Sequence, residues 1–238
     1  PHDCFYFDGI IRQDPIDEDK LDPLDNTEEF GLLSDADLAW LKRETEALYN
    51  GTDKAIVLKL PGTGFGDVAS VPGPTLKHPK GIRDIEEWYM SLAMRPDYIA
   101  AVFERQCDIA IENMERIFAA VGNMPTVVWV SGADFGAQNG PLIAPRKFRT
   151  LFKPFQKRIN DWIHEHTTWK TFIHSCGSIM PLLPSMVEAG WDIINPVQTS
   201  AANMDARELK ARFGDQVTFW GGGIDTQHVL PTATPDEI

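Results

Sequence analysis

Apolar positions along the 238-residue chain change period repeatedly, and each change marks an element boundary. Short apolar runs at residues 55–60, 126–131, 171–173, 193–195 and 217–220 are too brief for helices and rich in Val, Ile and aromatic side chains, which predicts strands. Between them the apolar residues step by three and four. Ile99, Phe103, Cys107, Ala110, Met114, Ile117 and Val121 form one such stripe, within a predicted helix over 97–121. Phe148, Leu151, Phe152, Phe155, Ile159 and Trp162 form another over 145–165, with Pro154 expected to kink it. A further helix over 35–49 should stop at Asn50-Gly51. Asp205 with Glu208 reads as a capping box, and Gly190 and Gly214 sit where helices close. Strands alternating with helices give an α/β fold with a parallel sheet, each helical stripe facing that sheet.

No Gly/Ser linker, low-complexity tract or longer repeat divides the chain, so residues 1–238 read as a single domain. At its start, Phe5-Tyr6-Phe7-Asp8-Gly9-Ile10-Ile11-Arg12 carries a hairpin signal, and residues 14–29 form an acidic stretch with Pro15 and Pro23 that reads as a solvated loop, the two making up an appendage over 1–34. The lack of an initiator Met and the helix-start pattern Thr234-Pro235-Asp236-Glu237 at the other end read as an internal fragment, expected to be unstable in isolation. Five strands are fewer than the eight of a (β/α)8 barrel, so a barrel requires further units, and an open doubly wound sheet stays open as an alternative.

With 22 Lys and Arg against 35 Asp and Glu, the formal net charge is −13, and no basic cluster exists to neutralise phosphates. Nucleic acid is not an expected partner. No apolar stretch is long enough to span a bilayer, so no membrane role is expected, and the compartment expected is the cytoplasm. Three cysteines, Cys4, Cys107 and Cys176, do not make a disulfide framework, and reduced thiols follow. Cys107 lies on an apolar helical stripe, a core position rather than a ligand.

In parallel α/β folds ligands gather at the carboxyl ends of strands. Here those ends read Gly132-Ala133-Asp134, His174-Ser175-Cys176-Gly177, Asn195-Pro196-Val197-Gln198 and Gly221-Gly222-Gly223-Ile224-Asp225. His174 and Cys176, two apart on extended chain, share a side, and imidazole with thiolate suits Zn²⁺, although the two residues could equally just pack at a strand end. A zinc site needs a third protein ligand; only these two are visible, and the third is expected in chain beyond residue 238. Asp134 and Asp225 are candidate acid/base groups or carboxylates that bind substrate N–H groups, with ordinary Asx-turn service at strand ends an equal alternative. His164 and His166 close a helix and read as structural. Pro61-Gly62-Thr63-Gly64-Phe65-Gly66-Asp67 lacks the spacing of either nucleotide fingerprint, and Pro72, Gly73 and Pro74 preclude an immediate helix; the segment reads as a wide loop.

Taken in order, these strand ends resemble the uroporphyrinogen decarboxylase superfamily. The resemblance is densest from Asp134 onward, through Gln138, Pro141, Pro145, Phe152 to Phe155, His174-Ser-Cys176-Gly177, Glu188 to Gln198 and Phe219 to Gln227; before residue 125 it rests on Gly64-Phe65-Gly66-Asp67 and Arg95-Pro96. The resemblance implies a (β/α)8 barrel of greater length and two functional branches. One decarboxylates uroporphyrinogen without metal. The other uses zinc to activate a thiol and exchanges methyl groups with a corrinoid protein, and its His-x-Cys signature matches His174 and Cys176.

On that footing the resemblance implies a zinc methyltransferase: His174 and Cys176 as metal ligands, methylcobalamin carried by a partner corrinoid protein, and a small-molecule methyl acceptor, either a thiol or tetrahydrofolate. Asp134 and Asp225 are then the catalytic candidates, and Gln138, Asn195, Gln198 and Gly222 the substrate-binding ones. The alternatives are a metal-free tetrapyrrole decarboxylase and a non-catalytic corrinoid-protein-binding subunit. A polycarboxylate substrate would want local arginine, and only Arg146 lies near these strand ends, which favours the methyltransferase branch. Gly221-Gly222-Gly223 carries one glycine more than the family pattern before Ile-Asp.

Overall fold

A computed structural model describes residues 15–66 and 80–237. The expected hairpin at 5–12, Cys4, Asp67 and Pro72 to Pro74 lie outside the described residues. All five predicted strands form, as β1 (Val57–Lys59), β2 (Val127–Ser131), β5 (Lys170–His174), β6 (Ile193–Asn195) and β7 (Thr218–Phe219), with a two-residue hairpin, β3 (Gly136–Ala137) and β4 (Gly140–Pro141), after β2. The main sheet is parallel throughout, in the order β1-β2-β5-β6-β7. Each strand therefore joins beside its predecessor. A doubly wound sheet needs a point where strand order reverses; among the described residues the order runs straight through, which is the order of an arc of a (β/α) barrel.

The connecting helices are α2 (Ile85–Met94) and α3 (Pro96–Val121) between β1 and β2, α4 (Pro145–Lys147) and α5 (Lys153–His166) before β5, α6 (Leu183–Glu188) before β6 and α7 (Ala206–Phe213) before β7; α1 (Asp35–Gly51) precedes them all. Strand side chains alternate between two faces. Leu60, Val128, Val130, Ile173 and Ile194 point to the helices and join Ile99, Phe103, Met114, Phe148 and Ile159 in one core. Val127, Phe172 and Ile193, with Trp129 against them, form a second cluster on the face turned away from the helices. That face continues along the register to His174 and Asn195, paired across β5 and β6.

Local chemistry explains the element ends. Ser34 and Asp37 form a reciprocal capping box on α1, and Asp205 accepts from the N–H groups of Arg207 and Glu208 at α7. Gly190, at φ +83°, closes α6 in the left-handed region. Pro154 acts one step earlier than a simple kink would. Its ring leaves the carbonyl four residues back without a donor, and the chain widens into a π turn over Phe148–Phe152, where Lys153 N–H reaches back to the Phe148 carbonyl.

The acidic stretch keeps Asp17, Glu18, Asp19, Asp22 and Glu28 exposed, as expected, but is more ordered than a loop. It folds into two 3-10 turns, Glu18–Lys20 and Pro23–Thr27, capped by Asp17 and Asp22. Asn26 and Thr27 are buried, and Arg83, 1% exposed, forms a bidentate pair with Glu29 and donates to the Asp25 carbonyl. Arg95 pairs with Glu18 and Glu87. Two arginines from later in the chain thus pair with Glu18 and Glu29 and tie the strap down.

Candidate metal centre

Strand register brings the site together. β2 and β5 are neighbours, so the loop after Ser131 lies beside the loop after His174, and Asp134 meets Cys176 across them. The contact is close because two glycines face one another: a Cβ on Gly177, at φ +79°, would fall 2.4 Å from the Gly136 carbonyl carbon, and one on Gly136 would fall 2.5 Å from the Cys176 oxygen. Backbone packs directly on backbone there. Ser178 N–H donates to the Ala137 carbonyl at 2.8 Å, Phe135 N–H donates to Ser175 Oγ at 2.9 Å, and Cys176 N–H donates to Asp134 Oδ1 at 2.7 Å.

The outcome is a cluster of three donors. Cys176 Sγ lies 3.3 Å from His174 Nε2, and a carboxylate oxygen of Asp134 completes a group whose ligand atoms all fall within 4.8 Å of one another. Tetrahedral bonds of about 2.0 Å to nitrogen and about 2.3 Å to sulfur put two donors on one zinc roughly 3.5 Å apart, so the His174–Cys176 pair fits such an ion. Burial first, then the negative charge of Asp134 and a hydrogen bond to it, push the Cys176 thiol up to about 11. The thiol is thus protonated near neutrality, and a divalent cation among these donors would reverse that balance.

Beside the cluster lies a cavity of about 430 Å³, lined by Lys59, Leu60, Gly62, Gln106, Trp129 and His174 among others. Trp129 stacks on the His174 ring at 5.7 Å and 19°, forming a flat wall. Gln106, buried on α3, donates to the carbonyls of Gly62 and Gly64 and so holds the glycine-rich turn after β1 at the cavity edge. This turn is the wide loop expected from sequence, with Phe65 fully buried beneath it.

The remaining expected site residues have defined places. Asn195 Oδ1 meets His174 Nδ1 at 2.6 Å. Gln198 Oε1 accepts from Gly177 N–H at 2.9 Å, and its amide donates to Gln138 Oε1 at 2.8 Å, while Gln138 donates to the Ser200 carbonyl. These two glutamines brace the loops around Cys176. Gly222, at φ +74°, packs against the Val197 carbonyl, and Asp225 caps its own turn, accepting from Gln227 and His228 N–H groups and pairing with the His228 ring. Hydrogen bonding from His228 and from those backbone groups holds the Asp225 carboxyl below its usual range. Asp225 is not among the three clustered donors. Cys107 is fully buried, and burial pushes its thiol up to about 12, as a core position would have it. His166 stacks on Trp162, and His164 pairs with Asp192.

Trp129 escaped sequence reasoning because it sits inside an apolar strand run. The signal was the alternation itself, which puts it on the same face as Phe172 and His174. The family resemblance carried by these loops is matched by a family model described as uroporphyrinogen decarboxylase (URO-D), over residues 78–238. The chain belongs to the uroporphyrinogen decarboxylase family. As a member of that family it is similar in fold to the solved structure of a methyltransferase from Methanosarcina mazei, with a TM-score of 0.52 and 16% identity, over 76% of this chain and 46% of that one. The chain therefore spans about half the length of that neighbour. No curated protein matches the chain. Among the described residues of this family member, no helix is long and apolar enough to cross a membrane.

Proposed function

We propose that the chain carries the metal half of a zinc-dependent methyltransferase site, one that moves a methyl group between a corrinoid protein and a thiol or tetrahydrofolate acceptor. The observation that carries this reading is the convergence of His174 Nε2, Cys176 Sγ and the Asp134 carboxylate at the carboxyl ends of β2 and β5, beside a cavity. Membership of the uroporphyrinogen decarboxylase family and the fold shared with a methyltransferase support it. Zinc held there supplies Lewis acidity that renders a bound thiol nucleophilic at neutral pH.

The chain's own residues do the rest. His174 and Cys176 hold the ion, with Asp134 placed either to ligate it or to accept from the Cys176 N–H that orients the thiolate loop. Trp129 gives the acceptor an apolar wall, and Lys59, its register partner on β1, offers a positive charge beside it. The loops braced by Gln138 and Gln198 keep the donor atoms from spreading. The partner corrinoid protein would present its methyl group over the mouth formed by the strand ends. Lys59 is the one cation among the described residues that line this cavity, which favours methyl transfer over decarboxylation of a polycarboxylate.

The test is metal analysis of the protein beside His174→Ala and Cys176→Ala. One zinc per chain in the parent and none in either variant is expected, with methyl transfer from a methylated corrinoid protein lost in parallel. A parent that takes up no zinc from micromolar solution sinks the reading.

A further inference from the structure

The geometry points to Asn195 as a positioning residue that fixes which nitrogen of His174 carries the proton, and so which one is free to bind a metal. This role rests on the reading of His174 as a ligand and explains how that ligand is prepared.

Three adjacent strand ends contribute. Asn195 Nδ2 donates to the Trp220 carbonyl at 2.7 Å. A backbone carbonyl can only accept, so the atom facing it must be the amide nitrogen, and the amide oxygen is left facing His174. That oxygen lies 2.6 Å from His174 Nδ1. An oxygen lone pair so close to a ring nitrogen requires the proton to be on Nδ1. In the neutral ring Nε2 then carries the lone pair, and Nε2 is the atom 3.3 Å from Cys176 Sγ in the donor cluster.

Position reinforces chemistry. His174 and Asn195 are register partners on β5 and β6, so the contact follows from sheet pairing rather than from a mobile loop. Trp220 comes within reach because Gly221 lies directly against the Pro196 carbonyl, where a Cβ would overlap at 1.9 Å. Trp129 stacks on the imidazole face and limits its rotation. With Oδ1 engaged by His174 and Nδ2 by Trp220, Asn195 serves the ring rather than a substrate.

The experiment is nitrogen NMR of the metal-free protein labelled at histidine, coupled to zinc affinity measured by chelator competition. The His174 ring should show a protonated Nδ1 and an unprotonated Nε2. Asn195→Leu removes the acceptor, so the ring should turn to the Nε2-protonated form, with zinc affinity falling about 10–100-fold, the usual cost of losing a ligand's orienting partner. Asn195→Asp keeps an acceptor for Nδ1 but loses the donor to Trp220. It should keep the parent tautomer and recover most of the affinity, which separates ring positioning from bridging of β6 to β7. A parent ring protonated at Nε2, or an Asn195→Leu protein with the parent spectrum and affinity, overturns the inference. If Asn195→Leu does not fold, the parent and Asn195→Asp spectra still decide. A parent that shows the expected tautomer yet binds no zinc would defeat the metal reading while leaving the positioning role intact.

Discussion

The two ends of β5 each meet an aspartate beside a histidine and do opposite things with them. At the amino ends Asp192 meets His164 Nε2 at 2.8 Å, Thr171 N–H at 2.8 Å, Thr171 Oγ1 at 3.1 Å and Lys170 Nζ at 3.5 Å. At the carboxyl ends Asp134 meets His174 and Cys176. The first cluster balances a carboxylate with donors. The second brings acceptors together: an imidazole lone pair, a sulfur and a carboxylate that accepts from the Cys176 backbone N–H. Their acidities record the difference. Asp192 is partly buried, yet donation from Thr171 and His164 outweighs the burial and holds its carboxyl below the usual range, whereas Cys176 is pushed up to about 11 with Asp134 adding to the burial. A surplus of electron pairs at one end of β5, and their neutralisation at the other, separates a candidate site from a structural latch, in keeping with the division of labour between the two faces of a barrel.

Gly177→Ala should break this comparison most severely. The left-handed backbone costs an ordinary residue about 1–2 kcal/mol, and overlap with the Gly136 backbone adds a cost of the overpacking kind, for a total of about 3 kcal/mol in denaturant melts. Because the displaced loop carries the Asp134–Cys176 contact, zinc affinity should fall with stability. A fully stable variant with unchanged affinity would show that the two loops are not held by glycine contact.

Asp192→Ala is the counterpart at the other end. It strips the acceptor from the Thr171 N–H and from His164, and should cost about 2 kcal/mol of stability. Zinc content should not change. A change in metal affinity from this variant would mean that the two ends communicate along β5, against the view of them as separate devices.

How much of this was legible depended on distance in sequence. The strands and long helices were, since their periods are local: the stripe from Ile99 to Val121 is buried along its whole length. The His174–Cys176 pair was legible for the same reason, two residues apart on extended chain. Asp134 could be singled out as a strand-end carboxylate, but its meeting with Cys176 depends on β2 and β5 pairing across some forty residues and on two glycines that no spacing rule connects. The turns of the strap over residues 15–31 were not legible because the partner that ties Glu29 down, Arg83, lies more than fifty residues on. Gln138 and Gln198 were singled out as substrate-binding residues, and the structure shows a contact that no spacing predicts: they hold each other.

The smallest expected effect is a pH dependence that should belong to the latch. The folded carboxyl of Asp192 is held below the ordinary aspartate value, so its ionised form is favoured by folding, and the contribution is fully present above the ordinary aspartate range of about 3.9. As pH falls through the folded value the carboxylate takes up a proton, the His164 and Thr171 interactions weaken, and that stability is lost. Asp192→Asn has no such proton to bind. Its unfolding free energy should therefore start lower at pH 6 and decline less steeply than that of the parent below about pH 4. Other lowered carboxyls, among them Asp225 and Glu188, are solvent-facing and contribute little to the slope because water screens their pairs. Parallel curves for parent and Asp192→Asn would show that this carboxylate is held no more tightly in the folded chain than in the unfolded one, and the contrast between the two strand ends would then rest on geometry alone.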